Sequence, residues 1–267
     1  MTSPEPPLRI VLTRHPGQGS ALEHALRDSG FQVAHLPVTA QLLPEDISPL
    51  ERAVKELAAG CYDWLLLTSA TTVRALRAAG WNGEIPAATH VGVVGPGTAA
   101  ALKDLAPAPS PWMPADHSAA GILAELPAPQ AGHHMLLPQS AQARPELAEG
   151  LRSRGWDLHH VIAYQTAALD RLPEGHHRRL MHPTGGEPSS PGAHKSFTAA
   201  DLREADVVLV TSSSAADALL RLPLPAELVL LAIGKPTAAA LAQLGRPADA
   251  VLSQPTAAGV QQALSRL

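Results

Sequence analysis

Residues 63–69 (DWLLLTS) are echoed by residues 206–212 (DVVLVTS), and the reading of this pair decides the fold. Each is an apolar run of strand length that ends in Thr-Ser. Ser and Thr side chains accept hydrogen bonds from the free N–H groups of a starting helix, so each block reads as strand, then helix. Downstream, residues 93–102 (VVGPGTAAAL) match residues 232–241 (AIGKPTAAAL), and residues 118–122 (SAAGI) match residues 256–260 (TAAGV). Upstream, residues 9–13 (RIVLT) lead through Leu22 and Leu26 to Gly30, and residues 135–138 (MLLP) lead through Leu147 and Leu151 to Gly155. In both, the last strand-like leucine (Leu12, Leu137) lies eighteen residues before the glycine. The period is too long for a solenoid, so the chain reads as a duplicated set of half-domain blocks.

Each block carries the pattern of a βα unit: a short apolar run, a hydroxyl or glycine, then an Ala/Leu helix that ends at Gly or Pro. Thr98, Ser118, Thr237 and Thr256 stand where helix N-caps are expected. Gly30, Gly80, Gly155 and Gly245 stand where helices are expected to stop. Alternating strands and helices imply an α/β fold whose parallel sheet is covered on both faces. Right-handed crossovers then place every strand-to-helix loop on one edge, where open α/β sheets bind their ligands. Residues 170–205 break the pattern with His176, His177, Arg178 and Arg179 and a run of turn formers, and are expected to be a mobile loop. Residues 1–7 are expected to be a frayed tail.

Composition narrows the function. Of 267 residues 45% are hydrophobic and 16% charged, against about 25% charged in typical domains. A sizeable core is therefore available. The net charge of −4 argues against a broad nucleic-acid surface. Aromatic residues at 3% argue against binding single strands by base stacking. Apolar stretches such as residues 228–233 are far too short to span a bilayer, and the first residues lack a signal-peptide pattern. The single cysteine, Cys61, excludes an intramolecular disulfide framework and a cysteine-based zinc site. It is expected to be a buried or half-buried structural thiol. These features describe a soluble cytoplasmic protein.

The candidate chemistry is sparse. Gly95, Gly97 and Ala100 form a G-x-G-x-x-A match, but no later strand presents an acidic residue to a ribose, and the copy at Gly234 lacks the second glycine. A tight turn into a helix explains it better than dinucleotide binding. The pairs His133-His134, His159-His160 and His176-His177 read as solvated or loop histidines, because neighbours on a strand face opposite sides and make a poor ligand pair. No G-x-S-x-G elbow is present. Thr and Ser at several strand-to-helix junctions would surround a ligand with hydroxyls and free N–H groups, and helix N-termini favour carboxylates and phosphates. Ordinary capping explains any one of these hydroxyls; their repetition points to an anion cradle. Arg14, after the first strand, stands where it adds a formal charge or is simply solvated. Tyr164, one of two tyrosines, either packs an interface or donates a hydrogen bond to a leaving oxygen.

The ordered set of motifs resembles the uroporphyrinogen-III synthase family: residues 11–14 (VLTR) with Pro16, 66–69 (LLTS), 94–99 (VGPGTA), 161–166 (VIAYQT), 209–213 (LVTSS), 233–238 (IGKPTA) and 255–259 (PTAAG). The resemblance runs from about residue 8 to 264, interrupted by residues 170–205. It implies two similar parallel-sheet domains, flavodoxin-like and doubly wound, joined by two extended linker strands near residues 37–41 and 162–167. Residues 1–37 plus 167–267 would form one domain and residues 41–162 the other.

The implied substrate is hydroxymethylbilane, a linear tetrapyrrole with eight carboxylates. The family closes it to uroporphyrinogen III in an inter-domain cleft, losing water and inverting ring D through a spiro intermediate. The resemblance implies a lyase needing no metal or organic cofactor and acting as a monomer, with no nucleic-acid or membrane partner. By position, Tyr164 corresponds to the tyrosine assigned to departure of the hydroxyl. Thr98 and Thr237 match motif threonines, and Ser69, Ser212 and Ser213 match main-chain carboxylate contacts. Arg14, Thr68, Gly95, Thr211 and Lys235 complete the expected binding set. This chain departs from the family pattern where His15 separates Arg14 from Pro16, and in the length of residues 170–205. The alternative reading is a two-lobed, non-enzymatic binding protein for an anionic small molecule.

Overall fold

Runs of Leu and Val that are buried on both faces read as continuous apolar stretches, and four of them, Arg9–Leu12 (β1), Trp64–Leu67 (β4), Val207–Val210 (β8) and Val229–Ala232 (β9), are the central strands of two sheets. The computed structural model describes residues 7–16, 20–105, 110–130, 132–172 and 197–267. Residues 1–6 of the expected tail, and residues 173–196 of the expected mobile loop with His176, His177, Arg178 and Arg179, lie outside the described residues. Two units are distinguished. The first takes the described residues up to Ala40 and from Ala167 onward, and the second takes Gln41–Thr166.

In the first unit the sheet runs in the order β10-β9-β8-β1-β2, where β2 is Gln32–His35 and β10 is Ala250–Val251. All of its pairings are parallel. Residue parity splits each strand between two cores. Ile10, Leu12, Leu209 and Leu231 pack on Ser20–Asp28 (α1) and Ala257–Leu264 (α9) through Leu22, Leu26, Val260 and Ala263. Val11, Val208, Val210 and Leu230 pack on Ser213–Leu219 (α7) and Lys235–Gln243 (α8) through Ala215, Leu219 and Leu241.

The second sheet runs β3-β7-β6-β4-β5, with β3 Thr39–Leu42, β5 His90–Val93, β6 His134–Ser140 and β7 Asp157–Ala168. The pairings of β4 with β5, β4 with β6 and β6 with β7 are parallel. Leu65, Leu67, Val93 and Leu136 face Ser48–Ala58 (α2), Ala70–Ala78 (α3) and Pro96–Leu105 (α4). Trp64, Leu66, Met135 and Leu137 face Ala119–Glu125 (α5) and Glu146–Ser153 (α6). The duplication is visible as geometry: β2-β1-β8-β9-β10 corresponds to β7-β6-β4-β5, with Trp112 bridging Gly92 of β5 where β10 lies in the first sheet. Two stretches read separately from sequence, the strand near Leu158 and the extended run 162–167, are one continuous strand, β7.

Among the described residues, four hydroxyls cap α-helices: Ser69, Ser118, Ser212 and Thr256 accept from the N–H of Thr72, Gly121, Ala215 and Gly259 at 3.0, 3.1, 3.0 and 3.2 Å. Thr98 and Thr237, expected as caps, are buried third residues of α4 and α8. The reason is proline: Pro96 and Pro236 hold helical φ and start each helix ahead of the hydroxyl. The expected helix stops are present, with the matched pair Gly30 and Gly155 at φ of +87° and +91°. Cys61, expected to be buried or half-buried, is exposed. Its N–H closes α2 on the carbonyl of Glu56 at 3.0 Å, and strand alternation turns Tyr62 inward instead. No helix among the described residues is long and apolar enough to cross a membrane.

Candidate functional site

The carboxyl edge of the second sheet is built around Ser69. Strand β4 ends at Leu67, half-buried Thr68 follows, and Ser69 caps α3 in extended conformation. The Ser69 Oγ also lies 2.9 Å from Thr72 Oγ1 and 3.2 Å from the Tyr164 hydroxyl. A hydroxyl has one proton and two lone pairs, so these three contacts saturate it. Tyr164 reaches this place through a register shift. Gln139 pairs with Ile162 but Ser140 pairs with Tyr164, leaving Ala163 as an extra residue in β7. Such a bulge re-aims the side chain that follows it, and Tyr164 packs partly buried against the α2/α3 core. Arg74, in the second turn of α3, donates to Thr71 Oγ1 at 2.8 Å. Burial pushes its pKa below the ordinary arginine value, while the neighbouring Tyr164 acts in the opposite sense. Gly95 is buried and its carbonyl accepts from Thr98 and Ala99, both at 3.1 Å.

The carboxyl edge of the first sheet has its own hydroxyl set. Thr13 Oγ1 accepts from the Thr211 N–H at 3.0 Å and lies 3.2 Å from Thr211 Oγ1, which ties the end of β1 to the end of β8. Ser212 caps α7, and exposed Ser213 donates to the Pro236 carbonyl at 3.1 Å, drawing the starts of α7 and α8 together. Lys235 is the exposed first residue of α8 and lines a concavity of about 580 Å³ with Gly234, Ala238, Val251, Leu252 and Ser253. Arg14 is half-buried; burial lowers its pKa and the nearby Glu23 raises it. Glu23 is itself paired with Arg27 at 2.6 Å and His35 at 3.2 Å, and His35 Nδ1 contacts the Arg14 carbonyl at 3.1 Å. Part of the Arg14 charge is thus balanced inside its own unit.

Ser69 and Tyr164 are therefore brought into contact, as are Ser213 and the α8 start. Thr98 and Thr237 are held inside helices. Thr13, Thr72 and Arg74 were not read from the sequence. The repeat conceals Arg74, whose counterpart after Thr211-Ser212 is Asp217.

A second polar cluster lies at the opposite, amino-terminal edge of the second sheet. Tyr62 hydroxyl contacts Glu56 and His159, each at 2.5 Å, and burial together with Glu56 pushes the Tyr62 phenol up. His134 Nδ1 contacts the Cys61 carbonyl at 3.1 Å and its ring stacks 6.4 Å from that of His159. His134 and His159, expected as solvated or loop histidines, are thus partly buried partners near strand starts, because the adjacent Tyr62 offers a ring and a hydroxyl. A cavity of about 750 Å³ beside Trp64, Thr89, His90 and Trp112 touches none of the expected site residues. Among the described residues, no group of three or more His, Cys, Asp or Glu is placed to hold a metal ion.

Comparison with known proteins agrees with this architecture. The family model described as "Uroporphyrinogen-III synthase HemD" matches residues 20–262. A uroporphyrinogen-III synthase of Synechococcus elongatus is 28% identical over 172 residues, 62% of this chain and 63% of that protein. A chloroplastic uroporphyrinogen-III synthase of Oryza sativa subsp. japonica is 25% identical over 174 residues, 63% of this chain and 56% of its own length. The matches thus span less than two thirds of these relatives. A mutant uroporphyrinogen III synthase of Thermus thermophilus superposes with a TM-score of 0.56 over 97% of this chain and 100% of its own, at 20% identity, a likeness of fold. With more than half of its length matched by the family model, the chain belongs to the uroporphyrinogen-III synthase family.

Proposed function

We propose that the chain closes hydroxymethylbilane to uroporphyrinogen III, with loss of water and inversion of ring D, and that Tyr164 is its proton donor. The observation that carries this reading is the Tyr164 hydroxyl 3.2 Å from Ser69 Oγ at the first turn of α3. In the proposed step the phenol gives its proton to the hydroxymethyl oxygen, the C–O bond breaks with its electron pair on oxygen, and water leaves. The cation left on the pyrrole is attacked by ring D to form the spiro carbon. The bond from the spiro carbon to the methylene of ring C then breaks with its electron pair returning to ring D. The free α-carbon of ring D attacks the ring C cation so formed, and that carbon gives its proton to the phenolate, which restores the phenol. Positioning dominates such a reaction, which suits edges built from hydroxyls and helix starts rather than a catalytic dyad.

Under this reading Arg14, Thr68, Gly95, Thr211, Ser212, Ser213 and Lys235 bind carboxylates, and Thr98 and Thr237 shape the turns that present them. Each unit is a doubly wound, flavodoxin-like sheet. In the first, the strands taken in chain order lie 2-1-3-4-5 across the sheet, which supports this. Residues 37–41 and 162–167 are the joining strands, and the enzyme works without a cofactor, as a cytoplasmic monomer. The alternative of a binding protein without turnover is not favoured by the family match.

The test is to supply hydroxymethylbilane and identify the isomer. The type III product is expected; only type I, which forms unaided, overturns the assignment. Tyr164→Phe is expected to slow turnover about 10²-fold or more with an unchanged circular dichroism spectrum. Wild-type turnover in that variant would remove the role given to the phenol.

A further inference from the structure

Arg74 is a charged side chain without a counter-charge among the described residues. Helical side chains lean toward the N-terminus of their helix, and this carries its guanidinium back to the first turn of α3. There Thr71 is its one hydrogen-bond partner among the described residues, and its buried Nε has none. Other arginines of the fold are satisfied differently: Arg9 by Asp206, Arg27 by Glu23, and Arg221 by Asp170 and Asp217. No Asp or Glu among the described residues pairs with Arg74. A half-buried guanidinium that lacks an anion destabilises the fold that holds it. Its electrostatic neighbour is Tyr164, which in turn touches Ser69, so the unmatched charge lies at the edge where the phenol acts.

We infer that Arg74 receives a carboxylate of the substrate beside Tyr164 and is a specificity-determining residue of the reaction. This rests on the function proposed above. Seating one carboxylate on the guanidinium holds a pyrrole ring next to the phenol, and a planar fork that donates to carboxylate oxygens suits the task better than a solvated ammonium. The counterpart position in the other unit, Asp217, bears the opposite charge and is paired with Arg221. The two copies have thus diverged at this turn, and the cation belongs to the second unit alone.

The experiment compares Arg74→Gln, Arg74→Met and Arg74→Lys in the full chain. With hydroxymethylbilane, KM is expected to rise about tenfold or more in the Gln and Met variants and less in the Lys variant. The dependence of KM on salt should weaken in Gln and Met. The Tm of Arg74→Met is expected to equal or exceed that of the wild type, because the charge removed had no partner. Binding is read separately with uroporphyrin III, an octacarboxylate that is not turned over, by quenching of the tryptophans, all four of which lie in the second unit. Arg74→Gln should weaken it about tenfold. Unchanged KM, salt dependence and quenching in Gln and Met overturn the proposal, as does a lowered Tm with unchanged KM, which marks a scaffold residue. If Tyr164→Phe turned over normally while Arg74→Gln weakened quenching, the phenol's role would fall and the carboxylate seat would stand.

Discussion

At the scale of single residues, one hydroxyl or carboxylate often serves several partners, and its chemistry follows from their sum. Ser69 joins a helix cap to the Tyr164 hydroxyl, so the side chain that starts α3 also fixes the phenol. Glu23 is the acidic counterpart in the first unit. Burial pushes its carboxyl up, but the hydrogen bond and charge of His35, with those of Arg27, outweigh burial and hold it below the usual glutamate range. A carboxylate with a depressed folded-state pKa stabilises the protein above its unfolded value, near 4.3, and that contribution is lost as pH falls through the lower folded value. Glu23→Gln is therefore expected to lose less stability than the wild type between about pH 5 and pH 3, as measured by urea unfolding across that range. Equal acid sensitivity would show that the ion pairs are without consequence. Ser69 and Tyr164 were legible because a repeated Thr-Ser and a rare tyrosine stand out in the chain. Arg74 was not, because an arginine in an amphipathic helix has the pattern of a solvated residue. Only the fold reveals that no acid among the described residues meets it.

Elements are decided by caps and close approaches. In α5 and α9 the third helical residue is Gly, and a Cβ built there would collide with a loop carbonyl, that of Asp116 against Gly121 and that of Gln254 against Gly259. The duplicated S/T-A-A-G motif is thus a packing requirement in both copies: the hydroxyl caps the glycine's own N–H, and the loop carbonyl closes over it. Gly259→Ala and Gly121→Ala are each expected to cost about 2 kcal/mol or more, since backbone must move. Gly97, the second residue of α4, meets nothing within 4 Å of such a Cβ, and Gly97→Ala should be neutral or stabilise by up to about 1 kcal/mol. Urea denaturation of the three variants checks the contrast, and equal effects would refute it. The positions of Thr98 and Thr237 show where local reading stops. A hydroxyl ahead of an Ala run signals a cap, yet a proline one or two residues earlier moves the helix start past it.

For the whole molecule, each unit carries its own pair of cores, and the tryptophans lie in the second unit, with Trp64 and Trp156 in its α5/α6 core. Tryptophan fluorescence therefore follows unfolding of the second unit, whereas circular dichroism follows both. Leu209, fully buried in the first unit, is expected to cost about 2–5 kcal/mol when replaced by Ala, and Leu209→Ala should shift the dichroism transition more than the fluorescence transition. Equal shifts would show that the chain unfolds as one cooperative block.

The sequence alone determined the βα alternation, the duplicated blocks, the helix stops and which edge of each sheet gathers the hydroxyls. All of these depend on neighbours a few residues away, whose burial and capping leave a period in the chain. Tertiary structure decided which blocks share a sheet: Ile10 pairs with Val207 and Trp64 with Met135. It also decided that a bulge turns Tyr164 onto Ser69 and that Arg74 stands there without an acid among the described residues. Strand partners far apart in the chain are chosen by mutual packing of whole faces. A charge is paired or unpaired only once every surrounding element is in place, so neither leaves a periodic mark in the sequence.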